Sequence, residues 1–323
     1  CEARNITAQN AIGHASGPGV AIAFGGTSTR CRVMHCRLLN NGVVGKAADG
    51  VFMSGTHNAI IECLAQNCLD TGFVIESSSF SMILGGQAKD CGAGWAITNA
   101  SATTSVGNSA IGVVVDGWTA AVTGGIQIGL PAAGTAGNLN HTTVKGCTIW
   151  HTTGTGPAIN VRRVGSGADG KVRYLDIEGC KIIGAGTQGI LLSGEDINIL
   201  DSHVAATQNA IQLQASECSR VFIRDCKIYT DDGYSGVSIG TGSTTVHVEH
   251  NHIDAQGGNY GVYTFGTSTG IRVDNNDVIN VAIDLFGADS TTAVFAPSDS
   301  VGIALPTATA PRQGERFVVR GGA

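Results

Sequence analysis

Two positions before a recurring small residue, three successive segments of this chain present Asp116, Lys145 and Glu178, and Asp176 takes the outward position beside Glu178. Carboxyl groups do general acid/base work when one holds a proton and a neighbour is ionised. If these segments stack as neighbouring strands, Asp116 and Glu178 lie two rungs apart, about 9.6 Å between backbones. That is near the carboxyl separation, roughly 6.5–9.5 Å, used to cleave a glycosidic bond with inversion. Asp116, Glu178 and Asp176 are therefore the catalytic candidates. Lys145, Arg162 and Arg163 would hold an acidic group or stabilise developing charge, and Gln127 and Asn160 would bond hydroxyls. Gly117, Gly146 and Gly179, one position before the small residue, would let a ligand approach the backbone closely. The same residues also describe an alternating-charge ladder that keeps a sheet soluble. A second constellation stacks Asp201, Asp225 and His250 beside Arg224, Glu249 and Asp274. Adjacent rungs there would bring carboxylates to about 5 Å. It has no insertions to build a cleft and reads as a solvated charged face.

The elements that must position these groups come from a repeat. Ile177-Glu178-Gly179-Cys180-Lys181-Ile182 returns as Ile223-Arg224-Asp225-Cys226-Lys227-Ile228 and Val248-Glu249-His250-Asn251-His252-Ile253. The key position passes through Cys180, Ser202, Cys226, Asn251 and Asn276 at intervals of 22, 24, 25 and 25 residues. Upstream it falls on Cys36, Cys63 and Cys147, with weaker copies at Gly86 and Trp118. Cys1 joins by analogy with the run that begins at Cys63. A second run in each repeat, such as Gly189-Ile190-Leu191-Leu192 or Gly261-Val262-Tyr263-Thr264, alternates apolar and variable residues as a half-buried strand does. Gly, Ser, Thr, Asn and Asp fill the connections. No sustained helical period exists, so two-helix repeats are excluded, and a period in this range means a stacked solenoid.

Three consecutive repeats are longer than the rest. From first strand to key residue the count is 12 to 14 in three later repeats (Ile190 to Ser202, Val237 to Asn251, Val262 to Asn276). It is 23, 21 and 21 from Trp95 to Trp118, Ile126 to Cys147 and Ile159 to Cys180. The additions, about 98–110, 129–141 and 162–171, fall in one turn, and stacked insertions wall a groove. Three solvated loops are the alternative.

With these repeats the chain resembles the right-handed parallel β-helix superfamily of pectate and pectin lyases, related hydrolases and epimerases, and phage tailspikes. The resemblance implies an all-β, single-stranded right-handed parallel β-helix of about eleven coils over 1–290. Residues 291–323 then form a non-repeat cap or oligomerisation tail. It also implies a polysaccharide ligand but fixes no chemistry, because one scaffold hosts many activities. Stacked small or amide residues at an interior turn form the superfamily's ladder. Here thiols mostly replace amides and act as small buried hydrophobes. Cys68 and Cys91 both lie five residues past the key position and form a shorter stack. No disulfide is expected among the ladder cysteines and nearly all ten cysteines are expected free, which fits folding in a reducing cytosol.

Net charge −6 argues against nucleic-acid binding, no apolar run of about 20 residues spans a membrane, and no metal or cofactor is expected. Aromatic residues are only 5%. Trp95 and Trp118 are in inward register, which leaves Trp150 and Tyr263 as sugar platforms. The chain starts inside a coil, so an upstream segment is expected. The leading reading is a phage tailspike or tail-fibre β-helix, folded in the host cytoplasm, working on the virion or outside the cell. It is expected to be homotrimeric and to bind host-surface polysaccharide, which a working acid pair would cleave. A free secreted lyase or hydrolase is the second reading, and a structural or adhesive β-helix the third.

Overall fold

The strand Val172–Glu178 shows how sequence becomes structure: Val172, Leu175 and Ile177 point inward and are fully buried, while Arg173, Asp176 and Glu178 point out. Each fully buried aliphatic side chain of this kind contributes roughly 1.5–3 kcal/mol. The computed structural model describes residues 1–11, 19–42, 48–99, 104–119, 124–129, 137–150, 156–162, 171–231, 233–287 and 294–295. The described elements are all strands, and every pairing between them is parallel. The result is a parallel β-solenoid of about nine turns, slightly fewer than the eleven expected. Of the expected tail 291–323, only Val294–Phe295 is described, and the rest lies outside the described residues. No described helix is long and apolar enough to cross a membrane.

Each coil contributes to three sheets. The first passes through Ala59–Ile61, Met82–Leu84, Ser109–Ile111, the end of Leu139–Lys145 and Val172–Glu178. The second starts just after the ladder residue, as in Gln87–Cys91, Val114–Trp118, Thr148–Trp150 and Lys181–Ala185. The third runs through Ala93–Thr98, Ile126–Ile128, Ile159–Val161 and the start of Ile190–Leu200. Later strands serve two sheets. Ile190–Leu200 begins in the third and ends in the first, with a register shift between Leu192 and Gly194 where it rounds the corner.

Both corners of the first sheet are made by left-handed residues. One column holds Glu62, Gly85, Gly112, Gly146, Gly179, Asp201, Asp225 and His250, all at positive φ. The other holds Phe80, Gly107, His141, Tyr174, Asp196, Arg220 and Thr245, also at positive φ. For a non-glycine residue this conformation costs roughly 1–2 kcal/mol. It recurs because it turns the chain sharply between two strands and throws the side chain into solvent.

The interior ladder forms as expected through Cys36, Cys63, Cys147, Cys180, Ser202, Cys226, Asn251 and Asn276. The Cys180 amide donates to Ser202 Oγ at 3.1 Å, Cys226 to Asn251 Oδ1 at 3.0 Å, and Asn251 to Asn276 Oδ1 at 3.0 Å. Cys68 and Cys91 stack on each other, and Asn41 extends that column by donating to Cys68 Sγ at 3.6 Å. Three expectations are corrected. Cys1 is not in the ladder; it stacks on Cys31 and the two form a disulfide, with Cα atoms 4.5 Å apart. Rung stacking puts this pair at disulfide distance, and the other eight cysteines are free and buried. Val113, not Trp118, holds the ladder position in its coil, since Val114 pairs with Gln87 and Thr148. Trp118 instead pairs with Cys91 and is fully buried.

Candidate functional site

The corrected register separates the expected acid pair. Asp116 sits on the second sheet between Lys89 and Trp150. There it meets Lys89 Nζ at 3.6 Å and accepts from Gln87 Nε2 at 3.3 Å. Lys145 and Glu178 are paired on the first sheet, where Lys145 Nζ lies 2.8 Å from Glu178 Oε1. Asp116 and Glu178 therefore face different directions and do not form one constellation. Of the three corner glycines, Gly146 and Gly179 share a column, but Gly112 and not Gly117 is their neighbour.

Gln127 and Asn160 do pair side by side on the third sheet, but both are buried. Gln127 Nε2 donates to the Gly129 carbonyl at 3.2 Å, so its amide serves its own turn rather than solvent. Arg162 ends the strand Ile159–Val161 half-buried, its amide donating to the Ile128 carbonyl at 2.8 Å. Arg163, residues 100–103 of the first insertion and most of the other two (130–136, 163–170) lie outside the described residues. In the second charged constellation Arg224 Nε meets Glu249 Oε1 at 2.7 Å, and Asp274 meets Arg272, from outside it, at 2.7 Å.

Asp176 is in a different situation. It lines a depression of about 360 Å³ on the first sheet with His141, Tyr174, Asp196, Asn198 and Phe222. The first sheet supplies the floor: Asp176, Asn198 and Phe222 are register partners on three successive rungs. Asn198 Nδ2 donates to Asp176 Oδ1 at 2.7 Å. The left-handed corner supplies the wall, because His141, Tyr174 and Asp196 occupy it on consecutive rungs. The His141 and Tyr174 rings stack 4.6 Å apart at 6° between planes, and Tyr174 is 46% exposed. Phe222 closes the far side, with the Arg224 guanidinium 4.9 Å over its ring and His247 edge-on at 4.9 Å.

An ion network fixes the wall. Arg220 reaches both Asp196 oxygens, at 2.5 and 2.8 Å, and lies 3.6 Å from Glu195. Glu195 also accepts from Lys171 and, at 3.1 Å, from Arg173. The Arg220 hydrogen bonds hold Asp196 below the usual carboxylate range against a smaller opposing effect of burial. Burial acts most strongly on Glu195 and in the upward direction, but Lys171, Arg173 and Arg220 together outweigh it and hold the group low. On the other side of this ridge is a second hollow, about 160 Å³, lined by Ser193, Glu195, Glu217 and Thr244 among others.

The depression thus offers two aromatic surfaces, an ionised carboxylate, a second carboxylate and an amide within one concavity. Ring C–H faces stack on aromatics while hydroxyls bond carboxylates and amides, so a sugar fits this surface.

The family follows from the repeat itself: residues 132–295 match the model of the right handed beta helix region. The chain belongs to the right-handed β-helix family. The expected β-helix class and its handedness therefore hold. No curated protein matches the chain significantly. Among solved β-helix structures, the chain is similar to the A-module of the mannuronan C-5 epimerase of Azotobacter vinelandii. The two are 11% identical over 89% of this chain and 77% of that one, with TM-score 0.49. It is also similar to an alginate lyase of Paenibacillus sp., at 12% identity over 89% and 88%, TM-score 0.39. A third is the tailspike receptor-binding domain of siphovirus 9NA, at 10% identity over 90% of this chain and 54% of that one, TM-score 0.37.

Sequence reasoning missed Tyr174, His141, Asp196, Asn198 and Phe222, although a signal was present in the β-helix period. Tyr174, Asp196 and Arg220 each stand six positions before a ladder residue, and Asp176, Asn198 and Phe222 four before. Reading those two columns together would have assembled the depression. Neither expected platform is near it. Trp150 is exposed on the second sheet, and Tyr263 stacks on Tyr260 at 4.6 Å beside the third.

Proposed function

We propose that this β-helix binds a cell-surface polysaccharide in the depression between Tyr174 and Phe222, as a tailspike-type receptor module. The observation that carries the reading is the combination of aromatic wall and carboxylate–amide floor in one concavity. Stacking on Tyr174 and Phe222 supplies affinity, and Asp176 and Asn198 fix the orientation of the hydroxyls. Cleavage, where the bound chain is cleaved, falls to Asp176 and Asp196, the two carboxylates that share the depression. Asp196, held ionised by Arg220, stabilises positive charge developing on the sugar ring, and Asp176 moves the proton. A free secreted depolymerase would use the same groups. Eight buried thiols suit folding in a reducing cytosol, whereas the Cys1–Cys31 disulfide suits an oxidising one, so the cysteines favour neither the tailspike nor the secreted enzyme. Exposed apolar residues on the first sheet, Met82, Leu84 and Ile111, support assembly as a homotrimer.

The test is a glycan array followed by calorimetry on the best binder. Tyr174→Ala and Phe222→Ala are expected to weaken binding at least tenfold each with little change in melting temperature. Binding that persists in both variants places the site elsewhere. For turnover, Asp176→Asn and Asp196→Asn should each lower the depolymerisation rate by two orders of magnitude or more, while Asp116→Asn leaves it unchanged.

A further inference from the structure

We infer that the depression selects an uncharged or amine-bearing glycan and rejects chains of uronic acids. This rests on the glycan-binding reading and deepens it. The argument is one of charge compensation. Every cation described around the depression is already engaged. Arg220 is committed to both oxygens of Asp196 and reaches Glu195. Arg173 and Lys171 are on Glu195. Lys145 is on Glu178 at 2.8 Å, and Arg224 is on Glu249 at 2.7 Å. Asp176 is different: its partner is the neutral Asn198 amide at 2.7 Å.

The floor therefore keeps one carboxylate that no described cation contacts, its bond being to the Asn198 amide, with Glu178 on the next outward position of the same strand. A sugar hydroxyl donates to such a group, and an ammonium pairs with it. A sugar carboxylate entering the same space meets like charge, and each of these guanidinium and ammonium groups already faces a protein carboxylate. The expected role of Lys145 in holding an acidic sugar is thereby replaced, because Glu178 already occupies it.

The experiment is the binding of the whole chain, at pH 8 and low salt, to an array of neutral, amino and uronic-acid oligosaccharides. Wild type, Tyr174→Ala and Asp176→Asn are compared, with melting curves as the folding control. The expected result is that Tyr174-dependent binders are confined to neutral and amino members. Asp176→Asn should then raise affinity for the uronic-acid analogue of the best neutral binder at least tenfold. A uronic-acid chain that binds wild type and is lost in Tyr174→Ala overturns the charge selection and leaves the glycan reading standing. So does an Asp176→Asn variant with unchanged affinity for the acidic analogue. Absence of any Tyr174-dependent binder removes the glycan reading itself, and this inference with it.

Discussion

Asp49, outside the candidate site, is a buried carboxyl pushed far above its ordinary range. It is 6% exposed, and its Oδ1 accepts from the Thr71 amide at 3.0 Å. Burial first, then the charge of Asp70 and more weakly Glu76, pushes it up to about 7, against the pull of the Thr71 bond. A carboxyl raised above its unfolded value near 3.8 holds its proton longer in the folded state. Stability from this group is complete below about pH 4 and is lost as pH rises through about 7. Asp49→Asn keeps the acceptor for Thr71 and removes the charge. It should be near neutral at pH 4 and stabilising by up to roughly 4 kcal/mol at pH 8. Urea unfolding at the two pH values checks this, and an equal effect at both would refute it. In the ladder, Cys180→Asn should cost less than about 1.5 kcal/mol. An amide there can donate to the Val144 carbonyl that Cys180 Sγ now meets at 3.7 Å, as Asn276 donates to Val248. Cys180→Lys buries an unpaired charge and should cost roughly 3–5 kcal/mol.

At the scale of the coil, turn geometry rather than composition decides which substitutions are tolerated. Gly129 and Gly179 both have positive φ, 76° and 61°. A Cβ on Gly129 would stand 2.1 Å from the Arg162 carbonyl oxygen, whereas one on Gly179 meets nothing within 4 Å. Gly179→Ala should cost only the left-handed penalty, roughly 1–2 kcal/mol. Gly129→Ala adds overpacking against the backbone of the next rung, a further 1–3 kcal/mol or so. Thermal melts of the two variants test the difference, and equal destabilisation would show that the turn at Gly129 yields freely.

For the whole molecule, stacked rungs make the cysteine state a test of register. Thiol titration of unfolded, unreduced protein should find eight thiols, with Cys1 and Cys31 joined. Ten thiols would remove the disulfide, and four or fewer would mean that ladder neighbours pair as well. Light scattering at micromolar concentration should give the mass of a trimer, as proposed from the exposed apolar rows. A stable monomer would reject that assembly without touching the β-helix.

The sequence by itself determined the solenoid. A 22–25-residue period, alternating apolar runs and a small residue at one recurring corner admit no other way to bury Val144, Ile177, Ile199 and Ile223 in one column. It also determined which residues face out within a strand, because side chains alternate. Asp176 was legible for that reason. The register between coils was not, because several residue types satisfy an interior corner. Val113 fills the ladder as well as Cys147 does, and Trp118 fits the neighbouring stack, so a five-residue misreading moved Asp116 onto the wrong sheet. Nor could spacing show that Lys145 is neutralised by Glu178, or that Tyr174 and Phe222 flank one hollow across a corner. Those facts depend on which side chains meet between rungs, and only the tertiary structure decides that.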